Sequence, residues 1–114
     1  MVDLSCMDLS IEDMLQCSFG LSKLELSVLL ALLRRDGWTS TSSLAKSIGK
    51  DRSVVQRGIS SLLGKNLAQR EQSNRERGGY EYLYRARDKA AIKKRILGNA
   101  RAFCMMVRET VNSW

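Results

Sequence analysis

Apolar residues recur along this chain first at helical spacing and then in strict alternation, and the order of those two patterns sets the expected fold. From Ser22 to Leu33 the spacing is helical, with Leu26, Leu29, Leu30 and Leu33 sharing a face. Ser22-Lys23-Leu24-Glu25 in front of them is a capping box: the serine caps the helix and the glutamate reaches back to its backbone. This helix is expected at the centre of the core, closed by Asp36-Gly37 with the glycine in the left-handed position. Ahead of it, Ser10-Ile11-Glu12-Asp13 opens a short helix in which Ile11, Met14 and Leu15 share a face, ending near Phe19-Gly20. Ser40-Thr41-Ser42-Ser43 offers several caps for a third helix carrying Leu44, Ala45 and Ile48 on one side, and Gly49 ends it. Asp51 then caps a fourth, with Val55, Ile59, Leu62 and Leu63 on one face and Ser53, Gln56, Arg57 and Ser60 on the other. Gly64-Lys65-Asn66 stops it.

From Leu67 the pattern changes to strand. Gly79 to Ala86 alternates, with Tyr80, Tyr82, Tyr84 and Ala86 on one face and Glu81, Leu83 and Arg85 on the other. The polar stretch from Gln72 to Gly78 between the strands predicts a β-hairpin with an exposed basic tip. Asp88 caps a last helix running to about residue 112, with Ile92, Ile96, Ala100, Phe103, Val107 and Val111 along one stripe. The chain contains no proline, so nothing interrupts that helix. The fold class is therefore mainly α with a small β-hairpin (α+β).

Composition narrows the function. With 114 residues, 44% of them hydrophobic and 27% charged, the chain has room for one core. No apolar run approaches the roughly 20 residues of a membrane span. Asp3 and Asp8 stand where an export signal would carry lysines, so a cytoplasmic location without membrane contact is expected. The formal charge of +7 is unevenly placed: residues 1–36 carry a net −3 and residues 50–101 a net +9. Such segregation points to a polyanion, whose released counterions supply affinity without any reading of sequence. A solvated basic face is the other reading of charge alone. Cys6, Cys17 and Cys104 are too scattered for a disulfide scaffold or a metal site, and there is no histidine to serve as ligand or general base. Without a glycine-rich phosphate loop or paired carboxylates, no enzyme, metal or cofactor is expected.

The decisive constellation joins the third and fourth helices. Ala45 permits close helix approach, Gly49 turns with positive φ, and Val55 is expected between the two helices, so that one helix braces the next for entry into a major groove. Residues 21–97 resemble the winged-helix domains of MarR-like and TrmB-like transcription regulators, which are common in archaea. The resemblance is carried by Leu44-Ala45 with Ile48-Gly49, by Asp51-Arg52-Ser53 with Val55-Gln56-Arg57, by Leu62-Leu63-Gly64-Lys65-Asn66-Leu67, and by Gly78-Gly79-Tyr80 with Tyr82, Tyr84 and Ala86. Lys50 stands where many such motifs place an apolar residue. Gly58 interrupts the fourth helix at a cost of about 1 kcal/mol against alanine, so a packing reason is expected there.

The resemblance implies a recognition helix over about 51–64, a wing over about 68–86 on the adjacent minor groove or backbone, and flanking helices that make a homodimer. It divides the chain into an N-terminal arm and short helix (1–20), a winged helix-turn-helix domain (21–86) and a dimerisation helix (87–114). Arg52, Ser53, Gln56, Arg57 and Ser60 are the candidate contacts on the helix: arginine can bridge guanine O6 and N7, and glutamine adenine N6 and N7. Arg75 and Arg77 are the candidates at the wing tip, with Lys65 and Arg70 flanking the approach. Ile96, Ala100, Phe103, Val107 and Val111 approximate a heptad seam for a second copy, which implies a palindromic operator in double-stranded DNA. A winged helix used for protein-protein assembly in the transcription machinery is the alternative. Redox control through Cys6, Cys17 or Cys104 is a separate hypothesis, and no small-molecule effector is legible in the sequence.

Overall fold

The computed structural model describes residues 10–76 and 78–114. Five helices and one hairpin follow in the order α1 (Ile11–Phe19), α2 (Lys23–Leu33), α3 (Thr41–Ile48), α4 (Arg52–Gly64), β1 (Ala68–Asn74), β2 (Tyr80–Ala86) and α5 (Lys89–Ser113). Helices α2, α3 and α4 pack on one another around Val28, Leu29, Leu32, Leu44, Val55, Ile59 and Leu62, all essentially without exposure. Leu67, Ala68 and Tyr84 close that core from the hairpin side, and Leu15, Leu21 and Ile92 extend it toward α1 and α5.

The cap of α2 forms as its sequence requires. The Ser22 hydroxyl accepts from the Glu25 amide (3.1 Å), and the Ser22 amide donates to Glu25 Oε1 (2.9 Å). The same carboxylate also accepts from the Ser61 hydroxyl and from Lys65 Nζ (3.3 Å), so it ties the start of α2 to the end of α4. Those donors, Ser61 first and the Ser22 amide next, lower the Glu25 pKa from 4.5 to about 2 against the opposing effect of burial. A depressed carboxylate stabilises the fold fully above its unfolded value, and that contribution is lost as pH falls from about 4.5 toward 2. Glu25→Gln is accordingly expected to cost about 1–3 kcal/mol at pH 7. Urea unfolding at pH 7 and pH 3 should show the gap between variant and native protein narrowing in acid.

Three features of the helices differ from the sequence reading. The most buried residues of α2 are Val28, Leu29, Ala31 and Leu32, not the Leu26, Leu29, Leu30 and Leu33 face; α1, α3, α4 and β2 all contact this helix, so the single best stripe does not mark its deepest side. Gly37 does not close α2 in the left-handed region. Arg34 caps it in right-handed geometry (φ −78°, ψ −10°), and the chain then extends so that Thr39 pairs with Tyr84. Asp51 and Asp88 stand at the cap positions of α4 and α5, but neither side chain makes a capping hydrogen bond.

Gly49 turns α3 into α4 with φ 76°, a conformation that L side chains rarely adopt. Gly58 has the packing reason its position demanded: a Cβ there would meet Val28 Cγ2 at 3.1 Å, at the point where α4 crosses α2. Gly58→Ala is expected to fall within about 1 kcal/mol of neutral, because helix propensity offsets the tight contact. Gly58→Leu is expected to cost about 2–3 kcal/mol through overpacking, read as a lowered urea midpoint.

The hairpin pairs Ala68 with Ala86 through to Asn74 with Tyr80 in antiparallel register. Strand β1 thus runs through Gln72, Ser73 and Asn74, and the polar tip is shorter than the sequence indicated; backbone pairing with Tyr80, Glu81 and Tyr82 outweighs the turn-forming character of those residues. Thr39 adds an isolated bridge on the other edge of β2, its amide donating to the Tyr84 carbonyl (2.9 Å) and its carbonyl accepting from the Tyr84 amide (2.8 Å).

Helix α5 is 25 residues long, and among them only Ile92 is buried. At 1.5 Å per residue it spans about 37 Å, and the described residues together measure 64 × 23 × 23 Å. The base of α5 is held firmly. Arg95 donates from both terminal nitrogens to the carbonyls of Lys65 and Asn66 (2.9 Å each) and lies over the Phe19 ring at 4.7 Å. Asn99 donates to the carbonyl and hydroxyl of Ser18 (3.1 and 2.8 Å). Among the described residues, no helix is long and apolar enough to cross a membrane.

Candidate nucleic-acid interface

The first half of α4 turns its polar face outward. Arg52, Ser53, Arg57 and Ser60 are exposed, while Val55 and Ile59 anchor the opposite face in the core. The helix can do both because its apolar and polar positions alternate with the helical repeat. The start of α3, the start of α4 and the hairpin enclose a cleft of about 220 Å³ lined by Ser40, Ser42, Arg52, Arg75 and Tyr80, among others. Two arginines from separate elements, Arg52 of α4 and Arg75 at the hairpin tip, therefore border one cleft.

Along the hairpin the tyrosines pass from buried to exposed. Tyr84 lies in the core, Tyr82 is half-buried, and Tyr80 stands out with its ring edge-on to Tyr82 at 5.4 Å between centroids. Arg70 lies over the Tyr82 ring, its Cζ 4.3 Å from the centroid, which stiffens the stalk and keeps the cation at the surface. Arg75 pairs with Glu81 (3.3 Å), but both side chains are solvated and such a pair contributes little. At the other edge, Arg85 stacks on Trp38 at 4.7 Å.

Two more of the candidate contacts have partners inside the protein. Gln56 Oε1 accepts from the Thr41 hydroxyl (2.8 Å), and its Nε2 donates to the Tyr84 hydroxyl (3.4 Å). Lys65 donates to Glu25 and to the Gly20 carbonyl (3.0 Å), and it sits about 20 Å along the helix axis from Arg52, beyond the last turn of α4. The structure thus places Arg52, Ser53, Arg57 and Ser60 on the exposed side of α4, brings Arg75 to the cleft that Arg52 borders, keeps Arg70 on the stalk against Tyr82, and sets Lys65 apart. Arg77 and Cys6 lie outside the described residues; Cys17 and Cys104 are exposed free thiols on α1 and α5. Of the seam residues, Ile96 is half-buried against the core, whereas Ala100, Phe103, Val107 and Val111 are exposed.

The order of braced helix, exposed basic helix and hairpin extends to known proteins. Residues 15–90 match the family model described as sugar-specific transcriptional regulator TrmB. The chain belongs to the TrmB family. The solved structure of a possible transcriptional regulator from Methanosarcina mazei Go1 superposes on this family member with a TM-score of 0.86, at 32% identity, covering 100% of this chain and 96% of that one. An uncharacterized protein of Methanocaldococcus jannaschii is 29% identical over 106 residues, 93% of this chain and 80% of its own. A protein from the thermoacidophilic archaeon Sulfolobus tokodaii shares the fold, with a TM-score of 0.71 at 16% identity over 84% of this chain and 93% of that one. The protein is a winged-helix member of a family of transcriptional regulators and not of enzymes.

Proposed function

We propose that this TrmB-family protein binds double-stranded DNA as a homodimer, with α4 in the major groove and the hairpin wing on the adjacent minor groove or backbone. The observation that carries the reading is the exposed face of Arg52, Ser53, Arg57 and Ser60, bordered by Arg75 across a shared cleft and backed by a fully buried opposite face. A helix braced in this way presents side chains to base edges, while the wing arginines engage phosphates. The unpartnered seam of α5 supports the dimer, and two-fold symmetry implies a palindromic operator. A cytoplasmic protein is the setting such a role requires.

Titration with mixed-sequence duplex at several salt concentrations tests the reading. Affinity should fall linearly on a logarithmic salt scale, with a slope that reports how many phosphates are neutralised. Absence of binding even at low salt would overturn it.

A further inference from the structure

We infer that Gln56 is a positioning residue: through Thr41 and Tyr84 it sets the angle between the recognition helix and the wing, and base discrimination on α4 falls to Arg52, Ser53 and Arg57. The inference rests on the DNA-binding reading. To bridge an adenine, a glutamine must offer its carbonyl oxygen and its amide nitrogen together. Here both are engaged within the protein, the oxygen by the Thr41 hydroxyl and the nitrogen by the Tyr84 hydroxyl.

Those partners cannot easily release it. Thr41 is 5% exposed and Tyr84 3%, so turning Gln56 toward DNA would leave two buried hydroxyls without these bonds, a penalty of the same size as the gain from one base contact. The placement of the three residues gives the tie its consequence. Thr41 opens α3, the bracing helix; Gln56 lies on the second turn of α4; Tyr84 belongs to β2 and is paired through its backbone to Thr39. One amide therefore links brace, recognition helix and wing at the floor of the cleft bordered by Arg52 and Arg75. A reader loses information at one base when it is removed, whereas a positioning residue weakens every contact that depends on the angle.

The test compares Gln56→Ala, Thr41→Val and Tyr84→Phe with Arg57→Ala, using duplexes that the native protein recovers from a random-sequence pool. The first three are each expected to bind those duplexes on the order of 10-fold more weakly, while recovering the same base motif from the pool. Gln56→Ala combined with Tyr84→Phe should be little weaker than either alone, because both break one tie. Arg57→Ala should instead blur the motif at one or two positions. The proposal is overturned if Gln56→Ala blurs a base position while Thr41→Val and Tyr84→Phe bind like the native protein. Failure of the native protein to bind any duplex would sink the DNA reading by itself. The tie then still has its own readout, hydrogen exchange at the Thr39 and Tyr84 amides, which should quicken in Gln56→Ala and in Tyr84→Phe. Unchanged exchange in both would overturn it. Tyr84→Phe keeps the ring in the core, so it separates the lost hydroxyl from a general loss of folding.

Discussion

Phe103→Glu combined with Val107→Glu is expected to give a folded monomer whose affinity for a two-fold symmetric duplex falls by at least two orders of magnitude. Both side chains point away from the core, at 67% and 44% exposure, so a single chain loses little packing when they change. In an isologous interface each substitution appears twice, placing four carboxylates along one seam. Desolvating unpaired charges at the centre of an interface costs about 2 kcal/mol or more apiece, beyond the apolar contact removed. The two recognition helices would then bind as separate units, without the gain in effective concentration that linkage supplies. Sedimentation equilibrium reads the oligomeric state, and circular dichroism confirms that α5 stays helical. A variant that sediments as the native protein does would show that this seam is not the interface.

The second large effect concerns the reading face. Arg52→Ala with Arg57→Ala is expected to weaken binding to a duplex selected by the native protein by about 2–5 kcal/mol, since on the proposed reading each arginine makes one strong bidentate or phosphate contact. Thermal stability should be nearly unchanged, because both side chains are exposed and neither has a hydrogen bond or ion pair within the protein among the described residues. The two arginines separate by salt dependence. A residue on phosphate reduces the salt slope by about 1 and weakens all sequences alike, whereas a residue on guanine relaxes the preference at that base. Undiminished binding by the double variant would move the interface away from α4.

Much of this was legible in the sequence because the signals were local. The Ser22–Glu25 capping box and the left-handed turn at Gly49 depend on residues within a few positions or on a backbone conformation that favours glycine, and a glycine inside an amphipathic helix announced a close approach at Gly58 without naming Val28 as the partner. The deepest side of α2 was not legible, since a helix packed from several directions no longer buries its best stripe. Strand β1 reached further into the polar segment than propensity allowed, because its partner Tyr80–Tyr82 carries the pairing. The partners of Gln56 and Lys65 were invisible for a different reason. Tyr84 lies 28 residues from Gln56 and Glu25 lies 40 from Lys65, and nothing in the spacing of polar residues announces a bond of that range. On the outward face of α4, a residue tied to the fold and one open to a ligand look alike in a string of letters.

Arg95 makes α5 a lever. Its two hydrogen bonds to the end of α4 fix the near end, and beyond Asn99 no described contact from the rest of the protein holds the helix. From Arg95 to Trp114 the arm is about 28 Å long, so a tilt of about 10° at the clamp carries the far end some 5 Å sideways. That exceeds the rise of one base pair, roughly 3.4 Å. In the proposed dimer, the stiffness of the clamp that Arg95, Asn99 and buried Ile92 make at the base of α5 would govern how exactly two copies match a fixed separation of half-sites.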